Sequence, residues 1–415
     1  MTGTTGRQAG PDGVAESSRG SYRAVLSRPA ARHLLAAAGL ARLSMGMVGL
    51  ALVLSVRAAT GSFAVAGFAA GAFALTAGLF AAPRGRLVDR RGHRIGLRLL
   101  GAGYGLTGCA LLLLVSTVRV PAVLIAASGA LGAAAPPISA ATRAAWVDMI
   151  GRGPLLSTAL SLDTVTEELL SLVGPASSGL LAAASSPVIA LATALGLDLA
   201  AVGLFPGRAP GAAASPGAVR RGMPRSQGSL RVLTAVGPVL VPLLAVGIGF
   251  GTLDVAIPAL ALRHGGTASA GWMLALLPAG STLGGLAYGR RAWSSPPIRR
   301  YRWLCLALAA GFAPLPLVAA HASLWPLLLV AGLATAPLVV TCFLLVDEAT
   351  PDVHRTEAAT WVSTFNNTGT AAGSALCGAL VADLPLTVVF TLPAIAAMAG
   401  TFGLVHRSLL ARGAP

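Results

Sequence analysis

Apolar residues in this chain come in blocks of about twenty, separated by short polar pieces rich in Gly, Pro and Arg. This spacing constrains the fold most, since a helix needs about twenty apolar residues to cross roughly 30 Å of hydrocarbon. Twelve blocks are legible, at residues 33–56, 62–82, 99–117, 121–142, 155–183, 187–205, 233–257, 270–289, 303–320, 324–346, 358–381 and 386–405. The predicted fold class is an all-α membrane protein with twelve transmembrane helices. Only 11% of the residues are charged, against about 25% in soluble domains. The first block is too long for a signal peptide and no small-residue cleavage site follows it, so it is expected to remain a membrane helix.

All 30 basic residues are Arg, and the formal net charge is +16. That charge invites an acidic partner such as nucleic acid, but its placement argues otherwise. With the N-terminal tail inside, only Arg57, Arg119 and Arg263 fall on outer loops, and Arg42 lies within a span. The remainder stand on the cytoplasmic side, which is the positive-inside pattern. The expectation is a multi-pass protein of the cell inner (plasma) membrane, with both termini cytoplasmic, the lipid bilayer as its surroundings and no nucleic-acid partner.

The chain divides into a disordered cytoplasmic tail at 1–32, a six-helix bundle at 33–206, a cytoplasmic linker at 207–231, a second six-helix bundle at 232–406 and a short tail at 407–415. The linker is rich in Pro, Gly, Ser and Arg, a composition that favours flexibility. The bundles look pseudo-symmetric. Aligning the fifth block on the eleventh lays Gly174 on Gly373, Gly179 on Gly378, and Glu167 and Glu168 on Asn366 and Asn367. Repeats of this kind place substrate sites near the bilayer midplane, where the halves meet.

After the second block the chain reads Gly85, Arg86, Leu87, Val88, Asp89, Arg90, Arg91, Gly92, His93, Arg94. Gly85, Leu87, Asp89, Arg90, Gly92 and Arg94 match the signature loop of the major facilitator superfamily, and over residues 33–406 the chain resembles that family. The resemblance implies a secondary active transporter working by alternating access, with Asp89 helping to hold the cytoplasmic side closed against the start of the eleventh helix. Gly85 and Gly92 are expected to allow a tight turn and close helix approach. In the fifth block, Gly174, Pro175 and Gly179 resemble part of the helix-kink motif of the drug-proton antiporter branch. The branch's fourth-helix arginine has no counterpart here.

Charges inside hydrocarbon are costly and mark functional candidates. Asp163, Glu167 and Glu168 lie in the fifth block. Asp163 and Glu167 are four residues apart and share a helix face. Two desolvated carboxylates on one face do not both ionise readily, so one of them suits proton exchange. Arg42 and Arg143 are possible partners, which would make the acids structural instead. Arg42 also suits an anionic substrate group. Asp254 in the seventh block and Asn366 and Asn367 in the eleventh complete the coupling or substrate candidates.

Cys109, Cys305, Cys342 and Cys377 stand alone in separate blocks and read as small apolar core residues. The six His are scattered, and neither a metal site, a phosphate-binding loop nor a nucleophile motif is visible, so no cofactor and no enzyme activity are expected. The expected function is proton-coupled efflux of a small organic molecule by a monomer. The alternatives are import of a sugar or metabolite, and a non-transporting membrane sensor or scaffold.

Overall fold

The computed structural model describes residues 23–150, 154–205, 227–264, 266–290, 293–319, 325–350 and 355–410. Among these residues there are helices and no strands. Those before residue 206 are α1 (Pro29–Thr60), α2 (Phe63–Leu79), α3 (Ala81–Arg91), α4 (His93–Thr117), α5 (Pro121–Ala134), α6 (Ile138–Ile150), α7 (Pro154–Ala184) and α8 (Pro187–Leu204). Those after it are α9 (Gln227–His264), α10 (Gly266–Gly289), α11 (Pro297–Phe312), α12 (Leu315–Ala319), α13 (Trp325–Gly332), α14 (Thr335–Ala349), α15 (Arg355–Val381), α16 (Leu386–Val389) and α17 (Leu392–Leu410).

Seven spans are long and apolar enough to cross a membrane by length and composition: Pro29–Thr60, His93–Thr117, Pro121–Ile150, Pro187–Leu204, Val236–Arg263, Gly266–Gly289 and Pro326–Val346. Phe63–Leu79 and Leu386–Phe402 are apolar but shorter. The other predicted blocks fall short for visible reasons. α7 carries three acids, α15 carries Thr364, Asn366, Asn367, Thr368 and Thr370 along its middle, and α11 has only 16 residues, three of them Arg299, Arg300 and Arg302. The chain is a multi-pass helical membrane protein.

Local chemistry sets the helix ends. Proline stands in the first turn of α1, α5, α8 and α11, where its missing N–H costs nothing. Pro29 therefore starts α1 four residues before the boundary at 33 expected from hydropathy. α9 likewise reaches back to Gln227, into the segment read as linker; residues 206–226 lie outside the described residues. Gly61 closes α1 at φ 72°, its N–H donating to the Arg57 carbonyl at 2.8 Å, in a left-handed cap that glycine adopts without strain. Within the apolar helices, hydroxyls bond back one turn, as Ser128 does to the Leu124 carbonyl at 2.8 Å. That satisfies them without water.

Before the linker, α1 packs against α8, α7 and α2, and α2 against α5. After it, α9 packs against α15, α17 and α10. Two contacts across the linker dominate, α2 with α15 and α7 with α10. Both rest on glycine. A Cβ on Gly67 would lie 2.5 Å from the Ser374 carbonyl oxygen, and one on Gly179 would lie 2.7 Å from Gly271 Cα. Only hydrogen fits there, so backbones meet directly, as small residues permit between membrane helices.

Candidate functional site

Four charged side chains from three helices meet between α1, α6 and α7. On its inner face α1 buries Ala37, Ala38 and Ala41, small residues that let α7 come close. Side chains lean toward their helix N-terminus. Arg42 thus reaches back to Asp163, while Gly46, one turn later, meets Gly174 with a virtual Cβ 3.0 Å from its Cα. Arg42 Nη1 donates to Asp163 Oδ1 at 3.0 Å and to the Asp163 carbonyl at 2.9 Å, and Nη2 donates to Oδ2 at 2.8 Å. This is the fork geometry that makes arginine–carboxylate pairs strong. Both side chains are almost fully buried, at 4% and 2% exposure.

Glu167 lies one turn further along α7. Its Oε2 is 3.4 Å from Arg42 Nη2 and 3.1 Å from Arg143 Nη2 of α6. Glu167 is 36% exposed and Arg143 60%. The four groups therefore grade from buried to exposed: Arg42 and Asp163, then Glu167, then Arg143. Asp163 and Glu167 do share one face of α7, both reaching Arg42 Nη2, and the arginine partners named as the structural alternative are the ones found. Each acid faces a guanidinium, and two negative charges meet two positive ones. What is special about Glu167 is that it holds two arginines at once, between the buried Arg42 and the exposed Arg143.

The other candidates separate. Asp254 is half-buried on α9 and has no hydrogen bond or ion pair among the described residues. Asn366 and Asn367 are half-buried on α15, and the structure brings neither to the charge cluster. Gly78 of α2 packs on Asn367, and Gly247 of α9 packs on the Asn366 carbonyl, so their neighbourhood is one of helix packing. Gly174, Pro175 and Gly179 lie within the single helix α7. Gly174 meets α1 and Gly179 meets α10. The side chains of Glu168 and Asp89 lie outside the described residues, as does the segment just before α15, where Asp89 was expected to make its gating contact.

The signature loop is mostly helix. Gly85 sits inside α3 with open space around its Cα, so the turn expected there is absent. Gly92 alone makes it, at φ 78° and ψ 155° between α3 and α4, a conformation essentially confined to glycine. Close approach is found too, but at Gly96, whose virtual Cβ lies 2.6 Å from Val88 Cα. Leu87 is half-buried, and Arg90 and Arg94 are exposed.

Sequence reading missed Arg84. It looks like one more loop arginine, yet it is 8% exposed. It donates to the Phe80 carbonyl at 3.1 Å, to the Gly132 carbonyl at 3.0 Å, and to the carbonyls of Ala77 and Ala135. Those acceptors lie at the ends of α2 and α5, where Pro136-Pro137 interrupts the fourth span. The signal was the proline pair, since carbonyls freed by a helix break need donors. Burial lowers the Arg84 pKa from its usual value. Of the cysteines, Cys305, Cys342 and Cys377 are buried as read, whereas Cys109 is exposed on its helix. Among the described residues no three His, Cys, Asp or Glu gather into a metal-binding group.

The apolar spanning helices define the class, a multi-pass helical membrane protein, and the family match that follows makes it a transporter rather than an enzyme. Residues 34–350 match the sequence model of the Major Facilitator Superfamily, and the chain belongs to that family. Its fold is similar to that of the nucleoside transporter NupG, with a TM-score of 0.71 at 12% identity over 91% of this chain and 99% of that one. It is similar to a bacterial homologue of the iron transporter ferroportin in its inward-facing state, with a TM-score of 0.69 at 13% identity over 90% and 97%. It is also similar to the POT family transporter PepTSo, with a TM-score of 0.68 at 13% identity over 92% and 97%. Among curated proteins, none is similar enough in sequence to count as a relative.

Proposed function

We propose that this chain is a twelve-span secondary transporter of the plasma membrane, built as two six-helix bundles that rock about a central site. In this reading it exports a small organic molecule in exchange for protons, and Glu167 is the group that exchanges the proton. The observation that carries the proposal is the graded charge chain. Asp163 is held by Arg42 and kept from water. Glu167 is partly exposed and shared between α1 and α6. Protonating Glu167 would leave the Arg42–Asp163 fork intact and release Arg143, and with it the cytoplasmic segment of the fourth span. That couples one proton to the position of one helix segment. Asp254, half-buried and without an ion-pair partner among the described residues, is the second candidate for substrate or proton contact. In the signature loop, Asp89 remains the proposed cytoplasmic latch.

Import is the competing direction, favoured by one comparison: the fold is also similar to a D-xylose-proton symporter, with a TM-score of 0.63 at 15% identity. Purified protein screened against nucleosides, peptides, sugars and amphipathic drugs should be stabilised by its substrate, since a ligand that prefers the folded state raises the unfolding temperature. Flux of that compound into inside-out vesicles, driven by an inward-acid gradient, supports export. Flux only from the opposite face supports import. Stabilisation by none of them, with no flux, favours a sensor or scaffold.

A further inference from the structure

Pro136-Pro137 separates α6 from α5, so the position of α6 depends on what grips it from the side. Ile138, Ala141, Thr142 and Trp146 form its buried face, and it packs against α1 and α7. Near its middle, Arg143 meets Glu167. Its C-terminal end is held from another direction. In the stretch read as tail, residues 23–26 form one turn of helix. The turn closes where the Ser27 N–H donates to the Arg23 carbonyl and the Ser27 hydroxyl to the Ala24 carbonyl, each at 2.9 Å.

Two side chains dock this turn. Val25 is fully buried, while its neighbours in 23–28 are exposed. It belongs to the same buried apolar cluster as Trp146 of α6, Leu34 of α1 and Ala159 of α7, and taking its side chain out of water favours the docked position. Arg28 Nη1 donates to the Met149 carbonyl at 3.2 Å. That carbonyl is one of the last four of α6, which have no partner within their own helix. Arg28 is also the N-cap residue of α1, where a cation meets the positive end of the helix dipole. Its charge is badly placed for its own helix and well placed for α6, whose C-terminal end is negative.

Met149 lies six residues beyond Arg143, about 9 Å along α6 at ~1.5 Å per residue. One short helix is therefore held by polar contacts at two points, by Glu167 near its middle and by Arg28 at its end. Moving the helix as a unit requires both to let go.

We propose that residues 23–28 are a cytoplasmic latch on α6, in which Val25 and Arg28 are positioning residues that keep Arg143 on Glu167. The latch rests on the reading of α6 as the segment that Glu167 releases. While the turn is docked it restrains α6; when the turn undocks, α6 moves more readily and Glu167 is uncovered.

The test measures how fast a water-soluble carbodiimide and an amine modify each carboxyl of the purified full chain, followed by peptide mass spectrometry at fixed pH. Arg143→Gln removes the direct cover and sets the fastest Glu167 rate. Arg28→Gln should speed labelling of Glu167 about threefold, the effect of a polar contact at an exposed position. Val25→Ser should speed it about tenfold, the effect of losing a buried apolar side chain. Asp163, held by Arg42, should label slowly in every variant. Arg23→Gln, an exposed arginine on the same turn, should change nothing. Arg28 is exposed as well, so its variant keeps the proposal testable if Val25→Ser does not fold. Glu167 labelling at the wild-type rate in either latch variant would overturn the latch. So would equal acceleration at Asp163 and Glu167, which is general loosening. The proton-coupling role of Glu167 would survive both results. No acceleration in Arg143→Gln would show that Arg143 does not cover Glu167, and would overturn the latch together with the reading beneath it.

Discussion

Asp163 and Glu167 stand one helical turn apart but in different surroundings, and their substitutions should behave differently. Asp163→Asn leaves the buried Arg42 guanidinium with only its longer, 3.4 Å contact to Glu167, a loss that approaches the about 3–5 kcal/mol of breaking a buried pair. Glu167→Gln removes a charge at a partly exposed position, where an ion pair contributes about 0–1 kcal/mol. Denaturant unfolding of the purified variants should show a large loss for the first and a small one for the second; equal losses would contradict the buried-to-exposed grading. The signature-loop glycines should differ in sign. Gly92→Ala places a side chain at φ 78° and should destabilise by about 1–3 kcal/mol. Gly85→Ala, inside a helix with open space, should stabilise by about 0.5–1 kcal/mol. Both glycines looked like turn residues in the sequence, because a motif records residue type and not dihedral angle. Arg42 and Asp163 were legible individually, since charge in an apolar block is conspicuous. Their pairing was one option among several, because it depends on how α1 and α7 cross.

The fourth span shows how a membrane helix is broken and its freed carbonyls are taken up. Pro136-Pro137 separates α5 from α6, and Arg84 takes up carbonyls at the break. α6 then carries Arg143 to Glu167. Arg84→Met should leave those carbonyls without a donor and speed hydrogen exchange over residues 132–143. Arg84→Lys should not restore protection, because a lysine ammonium cannot span several carbonyls as the planar guanidinium does. Unchanged exchange in Arg84→Met would refute the tethering role. Nothing local in the sequence marks Arg84. The charge rule explains every arginine in that loop equally well; the distant proline pair says that a donor is needed, and the three-dimensional closeness of α2, α3 and α5 decides which arginine supplies it.

Across the whole molecule, the apolar blocks and their flanking arginines made the membrane class legible, and the Gly85–Arg94 motif the family. Helix ends and breaks were less so. They follow proline placement and tertiary packing, as at Pro29 and in the backward extension of α9, more than hydropathy does. The glycine contacts between the halves were only partly legible. Gly179 was singled out for a motif, while Gly67 and Gly271 look like ordinary small residues until α2 meets α15 and α7 meets α10. Gly179→Val should therefore weaken the α7–α10 contact and lower the thermal stability, whereas Gly203→Ala, on a helix with nothing within 4 Å of the added carbon, should leave it equal or higher.

The central claim is that Glu167 carries the proton whose movement drives transport. It is tested most directly in proteoliposomes containing Glu167→Gln and loaded with the substrate found by thermal stabilisation. The account predicts that accumulation driven by a pH gradient is lost while substrate-for-substrate exchange, which needs no net proton movement, continues. Gradient-driven accumulation at the wild-type rate would contradict it.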